Sequence, residues 1–354
     1  MSYKAVVLGC GPRAIFHFDA YKENLPEIDL VAACDASEER RVACGNKYAI
    51  PRLYSDFEEM LKKESPDILH VVTPPAFREQ ALELAGKYGV KGVLMEKPLA
   101  LTVSQAEKVQ AVAEKYNLKV AVNMQRRYFD HCRELREVVR SKQLGEIHFL
   151  RCVTKGNILS MGPHTIDLLL FLLDNPALEK VWATGYQMNG HEYGHPAPAH
   201  ILARLSLQNN ISVYLEDADD AVGVFGEKGG YWNHLEIDIW GSKGRAWWRQ
   251  NSNWGYQAEG MAEPKESPIS WDKSDAVGQR EFTRAMAHWL DDDRCEHDNS
   301  LRFSLNGYQV LMSIFQSSLD QAIKTFPMEI DPQVVEKLSE RLECQGRVAA
   351  REEE

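Results

Sequence analysis

A few short stretches of this chain combine residue types and spacings that suit chemistry. In "VLMEKPLA" (93–100) an apolar run ends in a carboxylate, an amine and a proline: Glu96, Lys97 and Pro98. A lysine seldom closes a buried strand unless its ammonium meets a partner or a polar pocket. Placed beside a bound nicotinamide it would hold a substrate hydroxyl and stabilise developing alkoxide charge. The plainer reading is a snorkelling lysine paired with Glu96. In "SMGPHTIDLL" His164 and Asp167 stand three apart at the head of an apolar helix, hence on one face. Histidine is the natural base for a hydroxyl near neutral pH, whereas a plain helix start would place Asp167 favourably towards the dipole. Arg126, Arg127 and Tyr128 in "NMQRRYFDH" suit a polyhydroxylated or anionic substrate, or else form a solvated basic lead-in to a helix. His191, His195 and His200 lie in "HEYGHPAPAH", whose Gly and Pro content reads as a loop. Their spacing matches no zinc pattern, and no metal is expected.

The opening "VVLGCGPRA" is a GxGxxA turn between a strand and a helix, with Gly9, Gly11, Pro12, Arg13 and Ala14 over the expected pyrophosphate. The first glycine permits the tight turn, the second lets backbone amides approach phosphate, and Ala14 allows close helix–strand packing. Asp35 ends the next apolar strand, where it would accept hydrogen bonds from the ribose hydroxyls and repel a 2′-phosphate. NAD is therefore favoured over NADP, although Arg40 and Arg41 follow closely in sequence. Thr73 and Pro74, with Pro75, close "DILHVVT" and stiffen the loop at the same crevice edge, or simply begin a helix.

Positioning such residues requires a scaffold, and the first third of the chain supplies one. "KAVVLG", "DLVAACD", "DILHVVT", "KGVLMEK" and "LKVAV" read as strands buried on both faces, separated by segments of helical periodicity. That alternation predicts a doubly wound parallel sheet over residues 1–123. Residues 124–354 read differently. "EIHFLRCVTKG", "EKVWATGYQM", "AHILARLSLQNN", "ISVYLED" and "HLEIDIWGSKGRAWW" alternate apolar and polar residues, as a mainly antiparallel sheet with one open face does. Trp182, Trp240, Trp247 and Trp248 fall in or near these strands, and that face would pair subunits or bind ligand.

The whole composition agrees with a globular enzyme-sized protein. Its 354 residues suit two domains, and 44% hydrophobic content provides ample core. A formal charge of −11 argues against nucleic acid. Seven cysteines without a CxxC pair predict free thiols in a reducing compartment. With neither a signal peptide nor a membrane-length apolar run, the expected location is cytoplasmic.

In this order the pieces resemble the glucose–fructose oxidoreductase / inositol dehydrogenase / MocA (Gfo/Idh/MocA) family: GCGPRA, CD at 34–35, TPP at 73–75, EKPL at 96–99, RRY at 126–128, GPHTID at 162–167 and LEIDIWGSKG. The resemblance implies an N-terminal Rossmann NAD(P)-binding domain (1–123) and a C-terminal α/β domain for substrate binding and oligomerisation (124–354). It implies hydride transfer between nicotinamide and a secondary alcohol of a sugar, cyclitol or polyol, in a homodimer or homotetramer assembled through the second sheet. Lys97 would orient the hydroxyl and His164 take its proton. Pro98 would set the Lys97 backbone through a cis bond, and Thr73, Pro74 and Glu96 would touch cofactor. Arg126, Arg127, Tyr128, Ser160 and Asp167 would surround substrate. Two positions depart from the pattern. Ser160 stands where relatives often carry an aspartate four residues before the histidine, leaving Tyr128 as a second candidate to share proton transfer. Arg78 replaces the histidine expected after TPP. Two other functions fit the same fold: NAD-assisted glycoside cleavage, and a non-catalytic dinucleotide-binding regulator.

Overall fold

The computed structural model describes residues 2–22, 25–192 and 195–352. Its contacts divide the chain into two units, Met1–Phe129 with Asp275–Leu305, and Asp130–Ser274 with Asn306–Glu354. The single boundary expected after residue 123 thus falls six residues later, and 275–305 returns to the first unit.

In the first unit, strands β1 (Tyr3–Leu8), β2 (Ile28–Cys34), β3 (Arg52–Tyr54), β4 (Ile68–Val71), β5 (Gly92–Met95) and β6 (Lys119–Val122) alternate with helices α1 (Ala14–Ala20), α2 (Glu38–Tyr48), α3 (Phe57–Glu64), α4 (Arg78–Lys87) and α5 (Val103–Lys115). The order is β3-β2-β1-β4-β5-β6, with every pairing parallel. Apolar runs form the central strands because both sheet faces are covered, and every residue of β4 and β5 is buried. Ser37, Asp56 and Thr102 start α2, α3 and α5 by accepting the backbone N–H three residues on. The short edge strand β3 was not anticipated, because its three residues are mostly exposed and carry no apolar run.

The second unit contains α6 (Asp130–Arg140), β7 (Ile147–Lys155), α7 (Gly162–Leu172), β8 (Leu178–Glu192), β9 (His195–Leu207), β10 (Ile211–Ala218), β11 (Leu235–Gly241), β12 (Gly244–Arg249), β13 (Asn253–Ala258) and β14 (Lys265–Pro268). Helix α8 (Trp271–Asp291) passes into the first unit at Asp275, and α9 (Leu301–Asp320) passes back at Asn306. Strand β15 (Lys324–Thr325) and α10 (Val334–Glu352) complete the chain. The nine strands run β14-β13-β12-β11-β7-β10-β9-β8-β15, antiparallel except for β7 and β10.

Register explains the two faces of this sheet. Ala183, Ala203, Leu215, Cys152, Ile237 and Trp248 face one another across six strands and are all buried. Their neighbours Trp182, Arg204, Tyr214, Arg151 and Asp238 form the matching row on the open face. Helix α7 packs on β7 and α10 on β8 and β9. Trp182 is 44% exposed as expected, but Trp248 is fully buried and its indole N–H donates to His131 Nδ1 at 2.9 Å. Trp247 is also buried. The alternation of a strand puts two consecutive tryptophans on opposite faces, and pairing with Ile237 sets Trp248 on the covered one.

The "HEYGHPAPAH" segment is not a loop. Its backbone extends the β8–β9 hairpin, pairing Gly190 with Ala197, His191 with Pro196 and Glu192 with His195. Tyr193 and Gly194 lie outside the described residues, as do the side chains of His191 and His195. The prolines are tolerated because β10 stops pairing at His200, leaving that end of β9 with one neighbour. Among the described residues no helix is long and apolar enough to cross a membrane.

Candidate functional site

In the first unit the predicted residues gather at the C-terminal ends of β1, β2, β4 and β5. Gly9 has φ +103°, and a Cβ there would collide with the Val72 carbonyl oxygen, so the turn requires glycine. Gly11 differs: a Cβ would meet nothing within 4 Å, which leaves the loop backbone open to a ligand. The Asp35 carboxylate braces this loop, accepting from Cys10 N–H at 2.7 Å and from Ser37 N–H at 2.8 Å. Arg41 Nη1 donates to the Asp35 backbone oxygen at 2.8 Å. Thr73 Oγ1 is buried with no hydrogen-bond partner among the described residues. An open glycine cradle, an anion at the end of β2 and an unused hydroxyl at the end of β4 form a donor and acceptor set that fits an adenine dinucleotide. Gly9, Gly11, Pro12, Arg13, Ala14, Asp35, Thr73 and Pro74 would hold it.

Glu96 and Lys97 follow β5 at this edge, and the Lys97–Pro98 bond is cis. Lys97 is half-buried, whereas Glu96 is buried and clamped. Its Oε1 accepts from Arg13 Nε (2.9 Å), His17 Nε2 (2.9 Å) and Asn123 Nδ2 (2.7 Å). Its Oε2 accepts from the Lys97 N–H at 3.1 Å. Burial alone would favour the neutral acid, but Arg13, His17 and Asn123 overcome it and hold the carboxyl well below the usual carboxylate range. Glu96 is thus a fixed anion that ties the glycine loop, through Arg13, to the backbone of Lys97.

Arg126, Arg127 and Tyr128 form no solvated helix lead-in, because all three are buried. Arg127 Nη1 donates to the Asp298 backbone oxygen at 2.9 Å and its guanidinium lies 5.2 Å over the Phe303 ring. The Tyr128 hydroxyl lies 3.1 Å from His297 Nδ1 and accepts from Asp298 N–H at 3.2 Å. Gln125 Nε2 donates to Asp275 Oδ1 at 2.6 Å, and Gly278 leaves α8 flush against Phe129. These contacts join 275–305 to the first unit. Arg78 opens α4 and is fully buried.

In the second unit Ser160, His164 and Asp167 are buried at the start of α7. The helix begins at Gly162 with Pro163 in its first turn, so Asp167 is its sixth residue and lies beyond the first turn, where the dipole acts. Ser160 N–H bonds the Asn157 side chain at 3.0 Å, fixing the turn before the helix. Lys97 and the dinucleotide residues therefore belong to one unit, and His164, Ser160 and Asp167 to the other.

The sequence reading missed three residues. His17 and His70 are fully buried and lead to Glu96, and the signal was a lone histidine inside the apolar strand "ILHV". Asp217 occupies the apolar face of β10 after Ile211, Val213 and Leu215, and both its oxygens are buried without a hydrogen-bond partner among the described residues. Burial, then the charge of Asp219, pushes its carboxyl well above the usual range.

Comparison with known proteins agrees with this architecture. Residues 3–124 match the model of the Gfo/Idh/MocA oxidoreductases, an oxidoreductase family with an NAD-binding Rossmann fold. D-glucoside 3-dehydrogenase of Escherichia coli (strain K12) is 27% identical over 206 residues, which cover 53% of this chain and 58% of that protein. Myo-inositol 2-dehydrogenase of Thermotoga maritima is 24% identical over 258 residues, covering 68% and 73% respectively. The structure of scyllo-inositol dehydrogenase from Lactobacillus casei with bound NAD(H) and scyllo-inositol superposes with a TM-score of 0.72 at 18% identity, covering 92% of this chain and 99% of that one.

Proposed function

We propose that this chain, whose residues 3–124 match the Gfo/Idh/MocA oxidoreductases with their NAD-binding Rossmann fold, is an NAD-dependent dehydrogenase acting on a secondary alcohol of a sugar, cyclitol or related polyol. The observation that carries this reading is Lys97, an amine closing a buried strand beside the glycine loop, with its backbone held by an anionic Glu96. A bound nicotinamide would supply the acceptor for the hydride of the carbinol carbon. Lys97 donates a hydrogen bond to the reacting hydroxyl and stabilises the oxygen as negative charge develops. His164 takes the hydroxyl proton and passes it to solvent, so that alcohol and NAD become ketone, NADH and one released proton. Ser160 and Asp167 would lie beside the substrate, whereas Arg127 and Tyr128 are taken up in holding 275–305 to the first unit. Asp35 supports NAD rather than NADP.

The relatives named above act on a glucoside and on inositol, and the same substrate class is assigned to this chain. Free thiols at Cys10, Cys34, Cys44, Cys132 and Cys152 suit a reducing compartment such as the cytoplasm. The open sheet face, with Phe149, Trp182, Tyr186 and Tyr214 exposed, supports pairing of two or four copies.

The test is turnover of NAD with a panel of inositols, aldoses and glucosides, read as NADH absorbance. Lys97→Ala and His164→Ala are each expected to lower kcat/KM by about 10²- to 10⁴-fold. Undiminished turnover in both variants would refute these roles. The uncharged Ser160 before His164 favours one second reading: transient sugar oxidation that ends in glycoside cleavage. Aglycone release without net NADH would identify it.

A further inference from the structure

We propose that His17 and His70, with Tyr21, are positioning residues: a buried hydrogen-bond chain of one fixed polarity that holds Glu96, and through it the Lys97 backbone and the glycine loop. The part concerning turnover rests on the dehydrogenase reading.

The chain lies wholly within the first unit. Tyr21 Oη is 2.7 Å from His70 Nε2, His70 Nδ1 is 3.0 Å from His17 Nδ1, and His17 Nε2 is 2.9 Å from Glu96 Oε1. Two ring nitrogens facing each other need one hydrogen between them, and a neutral imidazole carries only one N–H. An ionised Glu96 only accepts, so the His17 proton sits on Nε2 and its Nδ1 is an acceptor. A second contact fixes the same choice. Asn123 Nδ2 donates to Gln279 Oε1 at 2.9 Å, which leaves the Gln279 amide nitrogen, 3.4 Å from His17 Nδ1, as a donor to it. His70 must then donate from Nδ1, and its Nε2 accepts the Tyr21 phenol hydrogen. Every bond points the same way: Tyr21 to His70 to His17 to Glu96.

The surroundings keep it so. Burial holds the His70 imidazole well below its ordinary range and pushes the Tyr21 phenol up, and both groups stay neutral near pH 7. The chain therefore does not ferry protons. It presents a permanent N–H to a permanent carboxylate. Three donors on Oε1 and the Lys97 amide on Oε2 leave Glu96 one geometry. Loss of the His17 donor would let the carboxylate turn, and Arg13 and Lys97 would turn with it.

Long-range ¹⁵N–¹H correlation spectra of histidine-labelled protein read the tautomers directly, assigned by His17→Gln and His70→Gln. The expected result is a proton on His17 Nε2 and on His70 Nδ1, with His70 uncharged at pH 7. A proton on His70 Nε2, or a charged ring, would overturn the polarity. Kinetics read the positioning. His17→Leu should lower kcat about tenfold, the size of one hydrogen bond to a charged group, with KM for the polyol changed less than about twofold. His17→Gln, which keeps an N–H for Glu96, should recover most of the loss. Tyr21→Phe removes only the outermost donor, so the His70 proton should stay on Nδ1 and kcat should fall less than in His17→Leu. NAD titration by fluorescence serves even if no polyol is turned over, a result that would sink the dehydrogenase reading alone. NAD should bind His17→Leu about tenfold more weakly than wild type, again recovered by His17→Gln. Unchanged NAD affinity and kcat across the series would refute the positioning role.

Discussion

Replacing Asp217 should stabilise the second unit. The side chain stands where Ile211, Val213 and Leu215 lead one to expect another aliphatic residue, with no exposed surface and no hydrogen bond to either oxygen among the described residues. Oδ2 lies beside Gly162, 3.6 Å from where a Cβ would sit. Leucine has the same branching, so Asp217→Leu exchanges two unpartnered oxygens for two methyl groups of similar reach. An unpaired buried polar group costs about 1–3 kcal/mol, and the variant recovers that much. A second part depends on pH. The native carboxyl ionises well above the ordinary 3.8, so between that value and the raised one the native state holds one proton more than the unfolded state. Wild-type stability on this account is full below the ordinary value and falls as pH rises, by about 1.4 kcal/mol per unit across the window. The variant lacks the group and its advantage widens over the same range. Urea unfolding at pH 5 and pH 7 measures both parts. Every tryptophan except Trp289 lies in the second unit, so indole fluorescence follows the domain that carries Asp217. A variant less stable than wild type by the same amount at both pH values would refute the reasoning, since that is the signature of an ionised, partnered aspartate.

The same fluorescence tests His131, whose imidazole burial lowers to about 4 while its Nδ1 accepts the Trp248 N–H. Its contribution is present above pH 6.5 and lost as pH falls towards 4, about 3 kcal/mol in all, and His131→Asn should flatten that part of the stability profile. An unchanged profile would show that the ring is accessible to protons in the native state. On the open sheet face Tyr214→Glu sets a charge in the row between Arg204 and Arg151, which can pair with it, so the fold is kept. Sedimentation velocity should show a shift towards monomer, and an unaltered assembly would place the contact elsewhere.

Local pattern determined much of this protein. The five long runs of the first sheet were legible because a strand covered on both faces must be apolar throughout, and the glycine turn was legible because Gly9 alone admits its φ. The strands of the second sheet showed by alternation, and the helix at 162–172 by its continuous apolar run. Glu96, Lys97 and Asp35 could be placed at strand ends because each breaks such a run. Edge strands β3 and β14, and β13 beside β14, escaped notice, since half-exposed strands of three to six residues carry too little pattern to separate from turns. What tertiary structure alone decided is which distant groups share a partner. Nothing near residues 17, 70, 123 or 279 indicates that their side chains converge around Glu96 and fix its charge. Nor does the composition of 275–305 announce that it packs beneath Gln125–Phe129 rather than with the residues before it. Hydrophobic periodicity reports the solvent on either side of a residue, whereas a buried polar group is settled by the one arrangement that satisfies its hydrogen bonds, and those partners come from anywhere along the chain.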